Sequence, residues 1–372
     1  MRERIELSAP GAAYLQYKAE IDQSLEKVLA SGRYLIGPEL TKFEQEFAAF
    51  VGSTFCVGVA SGTDAITLAL SSLNVGAGDA VITASHTAVA TVSGIEASGA
   101  VPILVDIEAD TYTIDPVRLE LAIRHYSKAY SIKAVVAVHL YGMPCALEEL
   151  LLICKEHKLL LVEDCAQAHG ATYNGRAVGT FGAAGAFSFY PTKNLAAFGD
   201  GGAITFDQSP AAQKALALRQ YGWDETRISN IRGTNSRLDE VQAAFLRIRL
   251  KKLANEIVRR REIAETYNTE LPSEIVAPPL RHPVTHAYHL YVINTEHRAK
   301  ISQALSDDNI GWGIHYPAPI HLQPAYQGRI PIDPCGLERT EVAAQRILSL
   351  PLHPFLTDGQ VARVIKAVRS VF

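Results

Sequence analysis

The chain has 372 residues, 48% of them hydrophobic, which is more than a single growing core accommodates and points to two domains or one large domain with an appendage. Lys and Arg number 35 against 39 Asp and Glu, so the formal charge of −4 supplies no field that would draw nucleic acid or an anionic membrane. The five cysteines lack a C-x-x-C pair, no apolar stretch has the length of a membrane span, and residues 1–30 lack the apolar run of a secretory signal; a cytoplasmic protein with neither a disulfide framework nor a bound metal is expected.

In chain order, residues 14–50 place Ile21, Leu25, Val28, Phe43, Phe47 and Phe50 at helical spacing around Ser31-Gly32 and Gly37-Pro38, which predicts two helices. From residue 55 short apolar runs alternate with helical stretches. The runs 56–60, 80–83, 102–106, 134–139, 159–163, 186–189 and 203–206 predict strands of a mostly parallel α/β sheet with helices on both faces. After about residue 250 the alternation stops. A long charged helix from Asp239 to about Leu271, the Pro278-Pro279 stretch, a half-buried strand at 289–294 and two more helical segments predict a smaller α+β domain, with the division drawn as 1–250 and 251–372.

Open α/β sheets bind ligands at the carboxyl ends of their strands, so the residues after each run carry the functional signal. Ser61-Gly62-Thr63-Asp64 precedes apolar positions at helical spacing, which suits a phosphate at a helix N-terminus or an ordinary hydroxyl cap. The run 158–162 ends in Glu163-Asp164. Because side chains alternate along a strand, only one of these carboxylates can face a strand-end pocket, where it needs a cationic partner such as a protonated pyridine. The next strand delivers Ser188 and, within FSFYPTKN, Lys193 in an apolar and glycine-rich setting that would lower the basicity of its amine. Phosphate site, acid, hydroxyl and lysine in this order describe a pyridoxal phosphate pocket.

The sequence resembles the DegT/DnrJ/EryC1/StrS family of sugar aminotransferases, within the fold-type I pyridoxal phosphate enzymes. The matching blocks are SGTDA at 61–65, GAVPILVDI at 99–107, VHLYG at 138–142, VEDCAQAHGA at 162–171, FSFYPTKN at 187–194, GDGGAI at 199–204 and NSRLDEVQAA at 235–244. The resemblance implies that Lys193 carries pyridoxal 5′-phosphate as a Schiff base and moves the proton. It further implies that Asp164 pairs with the pyridine nitrogen, Gln167 contacts the ring hydroxyl, and Gly62, Thr63 and Ser188 hold the phosphate. Asn235 is expected to reach that phosphate from the neighbouring subunit of a homodimer with shared sites; a loop asparagine capping the following helix is the alternative. Where many relatives place an aromatic side chain over the cofactor, this chain has Ala88, and His86 is expected to stack instead. The form SHTAVATV resembles enzymes that aminate C3 of dTDP-linked 3-keto-6-deoxyhexoses, with L-glutamate the family's usual donor and a 4-keto sugar the alternative acceptor. His315 and Tyr316, with His321 near them, and Tyr190 and Tyr221 are candidate sugar or pyrophosphate contacts. The basic stretch from Arg247 to Arg261 is expected to be a solvated helix face. Lys193 argues against the related sugar 3-dehydratases, which have histidine there. The complete set of Lys193, Asp164, Gln167 and Ser188 argues against a non-catalytic regulator, and the lack of a G-x-G-x-x-G turn argues against a Rossmann dehydrogenase.

Overall fold

The computed structural model describes residues 3–277 and 283–372, so Pro278-Pro279 lies outside the described residues. Strands β1 (Phe55–Val59), β2 (Asp79–Ala84), β3 (Val101–Val105), β4 (Ser131–Val138) and β5 (Leu160–Asp164) are followed by the two-residue strands β6 (Thr172–Tyr173) and β7 (Arg176–Ala177). Then come β8 (Ala184–Ser188) and β9 (Gly202–Phe206), and later β10 (Val284–Thr285), β11 (Tyr291–Asn294) and β12 (Ile347–Leu350). Seven of them form the main sheet in the order β1-β9-β8-β5-β4-β2-β3. Its strands run parallel except β9, which pairs antiparallel with both β1 and β8.

Strand alternation builds the layers. Val135 and Ala137 of β4 point into a core with Phe43, Phe47 and Ile82, whereas Ala134 and Val136 point into a second core with Ile66, Leu70 and Val81. Both sheet faces are therefore covered, which is why the strands read as near-continuous apolar runs. A third core joins Ile5, Ile263, Tyr267, Ile293, Ile301, Leu348 and Val364 around the β11–β12 pair. The helix Glu240–Glu270 runs unbroken through residue 250, giving Leu246 and Leu250 to the first core and Ile263 and Tyr267 to the third.

The N-terminal region forms three helices, Pro10–Gln16, Lys18–Ser31 and Pro38–Val51, the extra break falling at Tyr17. The basic stretch also differs from the solvated face expected of it. Arg249 and Arg260 are buried, Arg249 pairing with Glu256 at 2.6 Å and Arg260 donating to the carbonyl of Leu352 at 2.8 Å, while Arg247 bridges Glu39 and Glu46.

One buried carboxylate joins the long helix to the N-terminal region. Pro38–Val51 has no side-chain cap of its own, its N-cap being Gly37. Glu240 fills that role from across the fold, accepting from the amides of Gly37 and Leu40 through Oε1 and of Glu39 through Oε2, at 2.8–2.9 Å. A carboxylate at a helix N-terminus meets both the unpaired donors and the positive dipole end. Glu240→Ala would leave three amides without their acceptor, and we expect it to lower stability by about 2 kcal/mol or more, read as a lower urea midpoint with the slope unchanged.

Candidate active site

The connections that leave β1, β2, β5 and β8 at their carboxyl ends surround a cavity of about 200 Å³. Gly62, Thr63, Asp164, Gln167, Ser188, Tyr190 and Lys193 line it, together with Thr87, Ala88, Thr91 and Asp200.

After β1 the chain turns directly into the helix Gly62–Ser72, with Ser61 as its N-cap accepting from the Asp64 amide at 3.1 Å. The first amides of a helix have no intrahelical acceptor, so those of Gly62 and Thr63 are donors for an anion in the cavity. Glycine is required at 62 by contact: a Cβ there would lie 2.5 Å from Ser188 Cβ. The absent side chain lets the helix end and the Ser188 hydroxyl share one small cradle.

At the end of β5 the two carboxylates part, as alternation demands. Glu163 turns inward, where it accepts from His139 Nε2 at 3.1 Å and from the amides of Gly179, Phe181 and Gly182 at 2.7–2.8 Å; it fixes the turn before β8. Asp164 faces the cavity. Its Oδ2 accepts from Thr91 Oγ1 at 2.8 Å and its Oδ1 from the Ala166 amide at 3.1 Å. Burial pushes its carboxyl above the ordinary value, against those hydrogen bonds and the charges of Lys193 and His139. A cationic heterocycle beside it would restore the anion.

Lys193 follows β8 in a turn closed by its own amide on the Tyr190 carbonyl at 2.8 Å. Burial of the amine lowers its pKa to about 8, against the pull of Asp164. The aromatic residues near it in sequence pack elsewhere: Phe187 and Phe189 lie edge-on to Phe47 in the core, and Phe198 stacks on Phe245. Burial, helped by the charge of Lys193, holds His169 at about 3, His315 at about 4 and His289 well below its ordinary value, so these imidazoles are neutral near pH 7.

A second layer of hydrogen bonds supports the wall. Gln167 Oε1 accepts from the Tyr141 amide at 2.7 Å, and its Nε2 donates to the Tyr316 hydroxyl at 2.9 Å. The Tyr141 hydroxyl donates to the His315 carbonyl, so His86 Nε2, 2.7 Å from that hydroxyl, carries the proton and donates. Tyr141 itself sits at φ 60°, a left-handed conformation unusual for a bulky residue, and is held there by these contacts.

Several expected residues are placed differently. His86 is buried behind the lining with its ring engaged by Tyr141, so it does not stack over a ligand in the cavity, and Ala88 borders the cavity with no aromatic beside it in the lining. His321 sits between Ser85 at 2.8 Å and Glu341 at 3.1 Å, and His315 bonds to Ser349 at 2.8 Å; both ring contacts are structural. Tyr221 and Asn235 lie on an exposed segment closed by the Gln220–Asn235 bridge and do not line the cavity. Asn235 is not the cap of the following helix, whose N-cap is Asp239. Thr87 and Thr91 also line the cavity, and their four-residue spacing at a helix start is the signal for them in the sequence.

The cradle, the buried acid and the amine of lowered basicity fit a phosphorylated pyridine aldehyde. The chain matches the model of the DegT/DnrJ/EryC1/StrS aminotransferase family over residues 16–369. It belongs to that family. Members depend on pyridoxal phosphate, and this chain is an aminotransferase of that class. It is 44% identical over 364 residues to dTDP-3-amino-3,4,6-trideoxy-alpha-D-glucose transaminase of Streptomyces venezuelae, covering 96% of this chain and 94% of that one. It is 42% identical over 359 residues to dTDP-3-amino-3,6-dideoxy-alpha-D-galactopyranose transaminase of Aneurinibacillus thermoaerophilus, covering 95% and 96%. The solved structure of S. venezuelae DesV in complex with a ketimine intermediate superposes with a TM-score of 0.95 at 43% identity, covering 99% of this chain and 98% of that one. The fold is accordingly that of the fold-type I pyridoxal phosphate enzymes.

Because its pKa is near 8, the Lys193 amine is mostly protonated below that pH and nucleophilic above it. Reductive methylation of cofactor-free protein, followed at Lys193 by mass spectrometry, should rise with pH through a midpoint near 8. Asp164→Asn should move the midpoint lower, since it removes the carboxylate that favours the ammonium form.

Proposed function

We propose that this aminotransferase moves the amino group of L-glutamate to C3 of a dTDP-linked 3-keto-6-deoxyhexose, working in the cytoplasm as a homodimer with shared active sites. The observation that carries the reaction is one amine of lowered basicity facing one buried carboxylate at the ends of adjacent parallel strands. The sugar is supported by the names of the two relatives, both transaminases forming dTDP-3-amino sugars.

Pyridoxal phosphate, when bound, supplies an aldehyde that takes up an amine and a pyridinium ring that withdraws electrons from the neighbouring carbon. Gly62, Thr63 and Ser188 hold its phosphate, and Asp164 holds a proton on the ring nitrogen. Gln167, oriented by Tyr141 and Tyr316, would contact the ring hydroxyl. Lys193 Nζ removes the proton from the α-carbon of glutamate in the first half of the cycle. In the second half it returns a proton to the sugar carbon that receives the amine. One group thus serves both halves as acid and base. Tyr190, 52% exposed and part of the cavity lining, is the candidate best placed for sugar or pyrophosphate contacts, whereas Tyr316 stands outside the lining with its hydroxyl accepting from Gln167.

The homodimer is supported by the exposed segment 220–235, held in shape by Asp224, which accepts from Thr226, Ile228 and Asn230. Ile228 on it is 61% exposed, an apolar side chain that a neighbouring subunit would cover. Asn235 would then reach the partner's phosphate site.

Lys193→Ala should lose visible absorbance and slow both half-reactions by a factor on the order of 10²–10⁴ or more; amino-sugar formation near the wild-type rate would contradict the mechanism. Purified enzyme with glutamate should convert the 3-keto dTDP-sugar, and turnover of the 4-keto sugar alone would defeat the C3 assignment. Mixing Lys193→Ala with Asn235→Ala subunits should raise activity above either parent, because one site of each mixed dimer is then intact. No gain on mixing would refute the shared site.

A further inference from the structure

Behind Asp164 stand two side chains that the reaction as described does not use. Thr91 Oγ1 donates to Asp164 Oδ2 at 2.8 Å, and Thr87 Oγ1 lies 2.8 Å from Thr91 Oγ1. Both threonines are at least 97% buried. Thr91 occupies the first turn of the helix Val89–Ala97, and Thr87 lies just before the N-cap Ala88 with its hydroxyl turned back to that of Thr91.

The proton inventory fixes the direction of this chain. An ionised carboxylate only accepts, so the Thr91 hydrogen points to Asp164 and the Thr91 oxygen must accept from Thr87. If Asp164 were protonated it would become a donor, and both hydroxyls could reverse. The pair therefore favours the anion as long as its hydrogens point towards Asp164. Asp164 needs that support, since burial works against its charge. Its other partners are the Ala166 amide and the charges of Lys193 and His139. Lys193 changes charge during a reaction in which its amine gives and takes protons, and His139 is shared with Glu163. Among the described residues, Thr91 supplies the one side-chain hydrogen bond to Asp164, and the chemistry leaves it unchanged.

We infer that Thr91, backed by Thr87, is a positioning residue that keeps Asp164 ionised and so keeps the proton on the ring nitrogen of bound pyridoxal phosphate through both half-reactions. This rests on the roles proposed for Asp164 and Lys193. Thr91 acts through Asp164.

The test uses holoenzyme loaded with pyridoxal phosphate labelled with ¹⁵N in the ring. Thr91→Val keeps the shape and removes the hydroxyl, Thr91→Ser restores it, and Asp164→Asn is the control. Wild type and Thr91→Ser should give the ¹⁵N shift of a protonated ring. Thr91→Val should move towards the unprotonated value and lower kcat for the glutamate half-reaction about tenfold or more, with KM for glutamate unchanged within about twofold. Thr87→Val should give a smaller shift in the same direction, and it decides the matter if Thr91→Val fails to fold or to bind cofactor. A wild-type ring shift in both valine variants, while Asp164→Asn loses the protonated signal, overturns the role of Thr91 and leaves that of Asp164 standing. If Asp164→Asn also keeps the wild-type shift and rate, the reading of Asp164 itself fails.

Discussion

A carboxylate and an amine, both deprived of water, face one cavity at the ends of β5 and β8. Each is disfavoured in its charged form by burial, and each is supported by the charge of the other. A buried acid is tolerated only where hydrogen bonds and a cation compensate it, and a lysine becomes a useful base only where its ammonium form is penalised. The two conditions are met by the same arrangement. The parallel strands deliver both side chains at one edge of the sheet, and the layers of apolar residues on either face keep water from the strands beneath. The cradle at Gly62 and Ser188 depends on the same strand ends, since β1, β5 and β8 must finish at one level for a phosphate, an acid and an amine to meet around one ligand.

Much of this architecture is legible in the residues because parallel strands buried on both faces produce apolar runs that end abruptly where the site begins. All seven strands of the main sheet lie within a few residues of the expected runs; Asp164 closes β5, and Lys193 follows β8 by five residues. What escapes notice depends on contacts between distant segments. β12 has only four residues and follows directly on a helix, too short a run for a period to emerge. Glu240 reads as one more acid in a charged helix, and its partners at Gly37, Glu39 and Leu40 are invisible without the fold. Arg249 and Arg260 lie in a basic stretch that by composition suggests solvent, yet their side chains find Glu256 and backbone carbonyls inside.

His86 shows a different limit. Alternation along a strand predicts which side a residue faces, but β2 ends at Ala84, and beyond it the backbone no longer keeps the two-residue period. The ring turns to Tyr141, and the hydroxyl of Thr91, backed by that of Thr87, takes the position next to Asp164. Sequence identifies the loop that matters without identifying which of its side chains enters the cavity. The same holds for Tyr141, whose left-handed backbone is imposed by partners at Gln167, His289 and His315 rather than by its own preference.

The capping of Pro38–Val51 by Glu240 carries a consequence for how the chain comes together. The donor at Gly37 and its acceptor are 203 residues apart. An isolated helix of this length is marginal in water, so the segment leaves the ribosome with neither its cap nor the long helix it packs against. It must wait through synthesis of the whole main sheet before Glu240 arrives, and its Phe43 and Phe47 lack their partners Phe187 and Phe189 until β8 is made. Native contacts of such long reach make maturation slow, and the nascent protein spends that interval in the form most open to aggregation and to chaperone capture.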